Sequence, residues 1–361
     1  MELKNADHIK SQNRIEELDL LKGIAILCVM MVHIPERYEL ITTGISFHLA
    51  PFFMVSGILL EKRTKRPGTE LAHRIRTLLW PYLCLSVLYL LVFGLRFAIF
   101  APEGLQGFLV CGLFQTLSGS GIGTLWFLPT MFLSELLFLA VRKRLSKAKA
   151  CICLLSGLAL SVMLSFFLYR RGCIGGIMIS PSGFGTALLQ LLLQSVIGSG
   201  FMALGPLLWE GMERLLSAAR LPAILYFFLF LALNELFYPL YSGNDMHYAR
   251  IINPFGFLLC TCLGSFALFF LARALKESPF AGLRRFLQFF GMNSLIVMTT
   301  HLEYGIADAA GRLAGAVLPA QDLFMRILTF VLLCTAEAAV CMAVRHTPLR
   351  YFYRFPNKNL L

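Results

Sequence analysis

The sequence predicts an all-α integral membrane protein, a bundle of about ten transmembrane helices with N- and C-termini cytoplasmic. Three observations predict it. Of 361 residues, 58% are hydrophobic and 14% charged, where a soluble domain carries about 25% charged residues. The mean hydropathy of +0.73 makes lipid, not water, the natural solvent. Apolar runs recur along the whole chain, and the Lys and Arg residues between them alternate strongly in density.

The elements follow in order. Residues 1–18 are polar and read as a cytoplasmic tail. The first run, 20–34, has the length of a signal-peptide core, but no small-x-small cleavage site follows it and it carries Lys22 and His33, so it reads as a retained first helix. Later runs fall near 45–60, 78–100, 124–141, 150–169, 184–208, 222–241, 254–275, 287–306 and 323–344. Most are near the ~20 residues that a helix needs to cross the bilayer, the first two being short. Lipid forces each to be helical, because backbone groups must be satisfied within the segment. Residues 101–123 are apolar and Gly-rich and read as a re-entrant or interfacial segment. Residues 345–361 read as a second cytoplasmic tail. The whole chain, 1–361, reads as a single membrane domain with no appended soluble domain. No internal repeat is evident, which disfavours an inverted-repeat transporter.

Charge tests this threading. With the N-terminus inside, 25 of the 32 Lys and Arg residues fall on the cytoplasmic side. The other 7 are Arg37, Arg96, Arg170, Arg171, Arg250, Arg312 and Arg326. That asymmetry is the one that fixes topology in membrane proteins. It also accounts for the net charge of +12 without nucleic acid, since no separate basic domain exists to bind it. The ten cysteines lie mostly inside apolar runs, and the C-x-C pairs Cys151/Cys153 and Cys260/Cys262 lack partners at zinc spacing. No metal site and no disulfide framework is expected.

Ionisable groups inside a span are functional candidates, because burying them is costly. In the first helix, Lys22 and His33 are separated by eleven positions, which at about 100° per residue places them within about 20° of one face and about 16 Å apart. Asp19 is one turn before Lys22 and positioned to pair with it. These two read either as a snorkelling pair at the inner interface or as part of a site. His33, His48 at the start of the second run and His301 near the end of the ninth all fall toward the outer side. They read either as three interfacial residues or as one layer, in which an imidazole would act as a base near neutral pH. Lys62, Arg63, Lys65 and Arg66, with His73, Arg74 and Arg76, form an inner basic cluster. It suits topology and anionic lipid, or phosphate recognition. Glu135 in the fourth run requires a partner, such as a basic group from a neighbouring span. Gln190, Gln194, Asn234 and Glu235 are weaker candidates that read as helix-joining residues.

Five motifs then occur in order: Arg14, Asp19, Lys22, Gly23 and His33 in R-x-x-x-x-D-x-x-K-G-I-A-I…H; His48 through Leu59 in F-H-x-x-x-F-F-x-x-S-G-x-L; a basic stretch leading to L-L-x-P-Y, Arg74 through Tyr82; L-W-F-L-P-x-x-F-L-x-E-L-L, Leu125 through Leu137; and G-x-N-S-L…H, Gly291 through His301. In this the chain resembles the membrane acyltransferase type-3 family, whose members acylate, usually acetylate, bacterial cell-surface glycans. Residues 145–285 match only in hydropathy. One departure stands out: the family's Arg-x-x-Arg before L-L-x-P-Y is here Arg74 followed by Thr77, with Arg76, or Arg63 and Arg66, as substitutes.

The resemblance implies an O-acyltransferase, most simply an O-acetyltransferase, in the bacterial cytoplasmic membrane. Its acyl-CoA would be a cosubstrate and no cofactor would be tightly bound. The donor phosphates would dock on Arg63, Arg66, Arg74 and Arg76. His33, aided by His48 or His301, would activate an acceptor hydroxyl or carry the acyl group. Asp19 and Lys22 would orient the donor or gate its path. Ser56, Gly57, Trp126, Glu135, Asn293 and Ser294 would be structural or accessory. The expected partners are acyl-CoA, a glycan or lipid-linked glycan and membrane lipid. The rival readings are a transporter or exporter of a small solute or amino acid on the same bundle, and a scaffold subunit of an envelope-synthesis complex.

Overall fold

The computed structural model describes residues 15–34, 46–62, 67–176, 183–219, 221–318 and 323–353. Arg14, Arg63 and Arg66 lie outside the described residues. Fifteen α-helices order the described chain, and no strand occurs among those residues.

Among the described residues, seven helical stretches are long and apolar enough to cross a membrane. They correspond to the third through eighth and the tenth of the runs read from sequence. The remaining three runs, which carry His33, His48 and His301, form shorter or broken helices. Helix α1 is Glu16–Val32, 17 residues. Helix α2 is Ala50–Lys62, 13 residues, so the second run begins several positions later than its apolar limit. At about 1.5 Å per residue neither matches a hydrocarbon core about 30 Å thick. The ninth run is not one helix. It splits at Asn293 into α11 (Ala281–Met292) and α12 (Ser294–Thr300), followed by a turn over residues 301–305.

Burial explains why short helices suffice. Leu20, Leu21, Ala25, Ile26, Phe53 and Met54 are essentially inaccessible, so α1 and α2 sit inside the bundle. A helix wrapped by protein need not span the lipid alone, and its ends can finish at an internal cavity. Local sequence sets those ends. Pro35 follows His33 and Ile34, and the residue before a proline is turned away from helix. Pro51 occupies the first turn of α2, where its missing N–H costs nothing.

Small residues let these inner helices approach their neighbours closely. A side chain at Gly23 would overlap the backbone carbonyl of Leu287, and one at Gly291 that of Asp19, so α1 and α11 meet backbone to backbone. Gly57 of α2 lies likewise against the Met202 carbonyl, and Gly205 against that of Met54, joining α2 to α8 (Phe184–Ala219). Around this centre run α3 (Pro67–Arg74), α4 (Trp80–Phe100), α5 (Leu105–Ser118), α6 (Phe127–Arg144) and α7 (Lys147–Arg170). Beyond α8 come α9 (Ala223–Tyr241) and α10 (Pro254–Glu277). After α11 and α12 come α13 (Ile306–Val317), α14 (Leu323–His346) and α15 (Arg350–Tyr353). The outward faces of α4, α7, α9 and α14 expose Leu95, Phe100, Leu160, Leu236 and Phe324, a belt of apolar side chains suited to lipid.

The segment read as re-entrant contains the helix α5, which packs on α4. Between α3 and α4 a π-turn, Ile75–Leu79, carries the helix forward. Its extra residue rotates the face presented by α3 relative to α4, a device often found beside functional sites. The end of the bundle bearing Glu17 is tied together by ion pairs between side chains. Arg273 and Lys276 of α10 each lie 2.9 Å from the Glu17 carboxylate, and Arg273 also pairs with Glu213 of α8.

Candidate active site

Two cavities lie one beyond the other within the bundle, and Phe127 and Met298 line both. The larger, about 510 Å³, contains His33, His48, Trp126 and the connection between α9 and α10. The smaller, about 290 Å³, contains Lys22, Ser56, His73, Arg74, Thr77, Glu135 and Ser294.

The histidine layer expected from sequence is formed in part by direct contact. His301 Nε2 lies 3.2 Å from His33 Nδ1, with the ring centroids 5.0 Å apart. Backbone carbonyls fix the roles. His301 Nδ1 is 2.7 Å from the Val297 carbonyl, and a carbonyl only accepts, so that nitrogen carries the proton. In the neutral ring Nε2 is then an acceptor. His33 Nδ1 is 2.8 Å from the Val29 carbonyl and donates to it and to His301 Nε2. A neutral His33 so arranged bears its basic lone pair on Nε2. His48 is buried and lines the same cavity.

The turn carrying His301 is tied to the turn carrying Trp126. Glu303 Oε1 accepts from the Thr124 backbone N–H at 2.5 Å and from its hydroxyl at 2.8 Å. Gly123, at φ +50°, leaves room for that carboxylate, which a side chain there would overlap. Trp126 stacks on His247, with centroids 4.8 Å apart and planes 11° from parallel. Burial, and after it the charge of His33, pushes His247 down to about 3.

His247 belongs to the connection 242–253, which sequence reasoning passed over. Its backbone is held from several sides. Gln190 of α8 donates to the Tyr248 carbonyl at 2.9 Å, and Gln194 donates to that of His247. Asn244 Oδ1 accepts from the Ile252 and Asn253 amides at 2.7 and 3.2 Å. Asp245 and Arg250 exchange two backbone hydrogen bonds. The glutamines therefore anchor a loop, and Gln194 also joins helices as read from sequence, accepting from the Thr130 hydroxyl of α6 at 3.2 Å, whereas Asn234 accepts from Ser46 at 3.2 Å and Glu235 is exposed. Nothing in the hydropathy of residues 145–285 marks the loop. The one available signal was chemical: Asp245, His247 and Arg250 crowded into a six-residue stretch between two apolar runs.

In the smaller cavity Asp19 and Lys22 pair at 2.8 Å, and Lys22 lines the wall. Glu135 has the basic partner that its burial requires. Arg74 Nε is 3.1 Å from Glu135 Oε2, and Arg74 Nη1 donates to Oε1 at 3.2 Å. Arg74 Nη2 reaches Glu70 at 2.5 Å, and Ser56 Oγ donates to Glu135. Arg74, expected at the donor phosphates, is thus engaged by two carboxylates in this structure. Thr77, at the position where the resembled motif has arginine, turns its hydroxyl back to the His73 carbonyl at 2.9 Å. Arg76 lies on the π-turn, outside the lining of the cavity. Asn293 caps the break between α11 and α12, its Nδ2 donating to the Phe289 carbonyl at 2.7 Å.

A model for an acyltransferase domain, the third acyltransferase family, matches residues 15–346. The chain belongs to the type-3 membrane acyltransferase family. The match spans both cavities and all five motifs apart from Arg14. Family membership makes the chain an acyltransferase, and its apolar helices make it a multi-pass membrane protein. No curated protein matches it, and no solved structure does.

Proposed function

We propose that this acyltransferase moves an acyl group, most simply acetyl, from cytoplasmic acyl-CoA to a hydroxyl of a cell-surface or lipid-linked glycan. The observation that carries this reading is the pair of cavities separated by Phe127 and Met298, with basic groups in one and the His33–His301 pair at the other. The positive-inside asymmetry supports placing both termini and the Lys22 cavity on the cytoplasmic side of the bacterial cytoplasmic membrane.

In this reading the donor enters from the basic side, where Lys22 and His73 meet it, and its thioester reaches the septum. His33 Nε2 takes the proton of the acceptor hydroxyl as the oxygen attacks the acyl carbon. His301 orients the His33 ring by accepting from Nδ1. The new C–O bond forms, the C–S bond breaks, and His33 returns the proton to the departing thiolate. Arg74 and Ser56 hold Glu135, and through it the wall of the donor cavity. His48 lies where it assists the acceptor.

The test is transfer of radiolabelled acetyl from acetyl-CoA in proteoliposomes, comparing wild type with His33→Ala at matched protein level. Loss of about a thousandfold or more is expected for a lost general base and its positioning. Unchanged transfer would remove His33 from the mechanism. Stacked cavities with a thin divider also favour a second reading, passage of a small solute. It predicts flux that is independent of coenzyme A and insensitive to His33→Ala.

A further inference from the structure

The loop 242–253 is built more firmly than a connection between two helices requires. Two glutamines from α8 and both arms of Asn244 fix its backbone. Ala249 is held at φ +49°, a conformation that side-chain-bearing residues adopt only when the surroundings over-determine it. It is also fully buried. The result of this anchoring is the placement of Asp245 on the wall of the cavity that holds His33 and His48. Among the described residues lining that cavity, Asp245 is the one carboxylate.

We propose that Asp245 is a positioning residue for His33, its carboxylate stabilising the imidazolium that His33 becomes on taking a proton. The catalytic consequence rests on the acyl-transfer reading above, whereas the charge coupling does not.

The fold alone does not call for a charge at this position. Asp245 Oδ1 accepts from the His247 amide at 2.8 Å, a turn contact that an asparagine makes equally well. The ion pair with Arg250, at 3.5 Å and about one-third exposed on both sides, contributes little to stability. Burial pushes the Asp245 carboxyl above its usual range, against the pull of the His247 amide, Arg250 and His33. His247, held neutral, does not compete for that charge. His301 orients His33 but, as a neutral acceptor, brings no countercharge. Among the described residues, Glu303 and Glu337 of α14 do not line this cavity; Glu303 accepts from Thr124, and Glu337 from the Thr300 hydroxyl at 2.8 Å. Among the described residues, His48, Arg250 and the phenols of Tyr238, Tyr241 and Tyr248 are the remaining ionisable groups on the cavity wall.

The experiment uses the purified full chain in lipid nanodiscs, labelled with ¹³C-histidine, without substrate. The His33 resonance is assigned by its loss in His33→Gln and titrated between about pH 5 and 8. Asp245→Asn keeps the turn and removes the charge. It is expected to lower the His33 midpoint by about half to one unit, a three- to tenfold change in proton affinity. Arg250→Gln, which removes the opposing charge, is expected to raise it. An unmoved midpoint in Asp245→Asn overturns the proposal, as does a shift in the same direction in both variants, which would signal a disturbed loop. In the transfer assay Asp245→Asn is expected to lower kcat about tenfold and leave KM for the donor unchanged. A moved midpoint in a protein that transfers no acyl group would reject the acyl-transfer reading and leave the coupling intact.

Discussion

His301 Nε2 accepts a hydrogen bond from His33 Nδ1 at 3.2 Å, across 268 residues of chain. Each ring is also fixed by the carbonyl one turn before it in its own chain, Val29 for His33 and Val297 for His301. The pair is therefore directional: His33 donates and His301 accepts, which leaves the His33 lone pair on Nε2.

Directionality predicts unequal and non-additive losses. His33→Ala is expected to lower acyl transfer about a thousandfold, and His301→Ala to lower kcat about a hundredfold. The double variant is expected to be no worse than His33→Ala alone, because groups acting as a unit do not add. Steady-state kinetics of the three variants check this. Additive losses would mean that the two rings act separately.

The Arg74 cluster predicts a stability defect rather than a simple loss of donor affinity. Arg74→Ala leaves Glu135 and Glu70 buried without their cation, at a cost of about 3–5 kcal/mol. Arg74→Lys is expected to recover little, since an ammonium cannot span two carboxylates as the guanidinium does. Thermal unfolding in detergent, followed by tryptophan fluorescence, reads both. A fully stable Arg74→Ala with weakened coenzyme A binding would instead make this arginine a donor ligand.

The Gly23–Leu287 crossing predicts a steric effect. Gly23→Val drives a side chain into backbone, which cannot move aside as a flexible side chain does, and is expected to cost at least about 1–3 kcal/mol. Gly282→Ala, with open space at the same helix pair, is the matched control and is expected to be neutral or slightly stabilising. The comparison of midpoint temperatures between the two decides it.

His247 predicts an acid-sensitive loop. Its folded value of about 3 lies below the ordinary 6.5, so the unfolded state binds the proton more readily. Its stabilising contribution is complete above about pH 6.5 and declines as the pH falls toward 3. Between about pH 6.5 and 5 the loss approaches 2 kcal/mol, at about 1.36 kcal/mol per unit. Asp245, pushed upward by burial, opposes this at lower pH. His247→Gln is expected to flatten the dependence of midpoint temperature on pH over that window, and an unchanged slope would contradict the assignment.

The shared wall predicts a change in acyl selectivity. Phe127 is packed edge-on by Phe52 and Phe53, with centroids 5.8 and 5.2 Å away. Phe127→Ala is expected to join the two cavities, raise transfer of longer acyl chains relative to acetyl, and increase donor hydrolysis. Competition between acetyl- and octanoyl-CoA measures the ratio.

Much of this protein was legible in the sequence because lipid imposes simple rules. A long apolar run must be a helix, and the runs at 150–169, 254–275 and 323–344 each became one. Lys22, His33, His48, Glu135 and His301 stood out because ionisable groups are rare in such runs. Spacing along α1 placed Lys22 and His33 on one face, and the structure has Lys22 lining one cavity and His33 the other.

Tertiary structure decided the rest, for reasons that hydropathy does not encode. Hydropathy measures how apolar a segment is and not whether lipid or protein surrounds it. The buried α1 and α2 therefore read as ordinary spans although one end of each stops at an internal cavity, and the break at Asn293 read as continuous helix. Contacts across long sequence separation are likewise invisible to local pattern. The pairing of His33 with His301, of Arg74 with Glu135, and of Gln190 and Gln194 with the 242–253 loop depends on which helices pack together. That choice rests on close approach at glycines such as Gly23, Gly57 and Gly291, where the absence of a side chain lets two backbones touch.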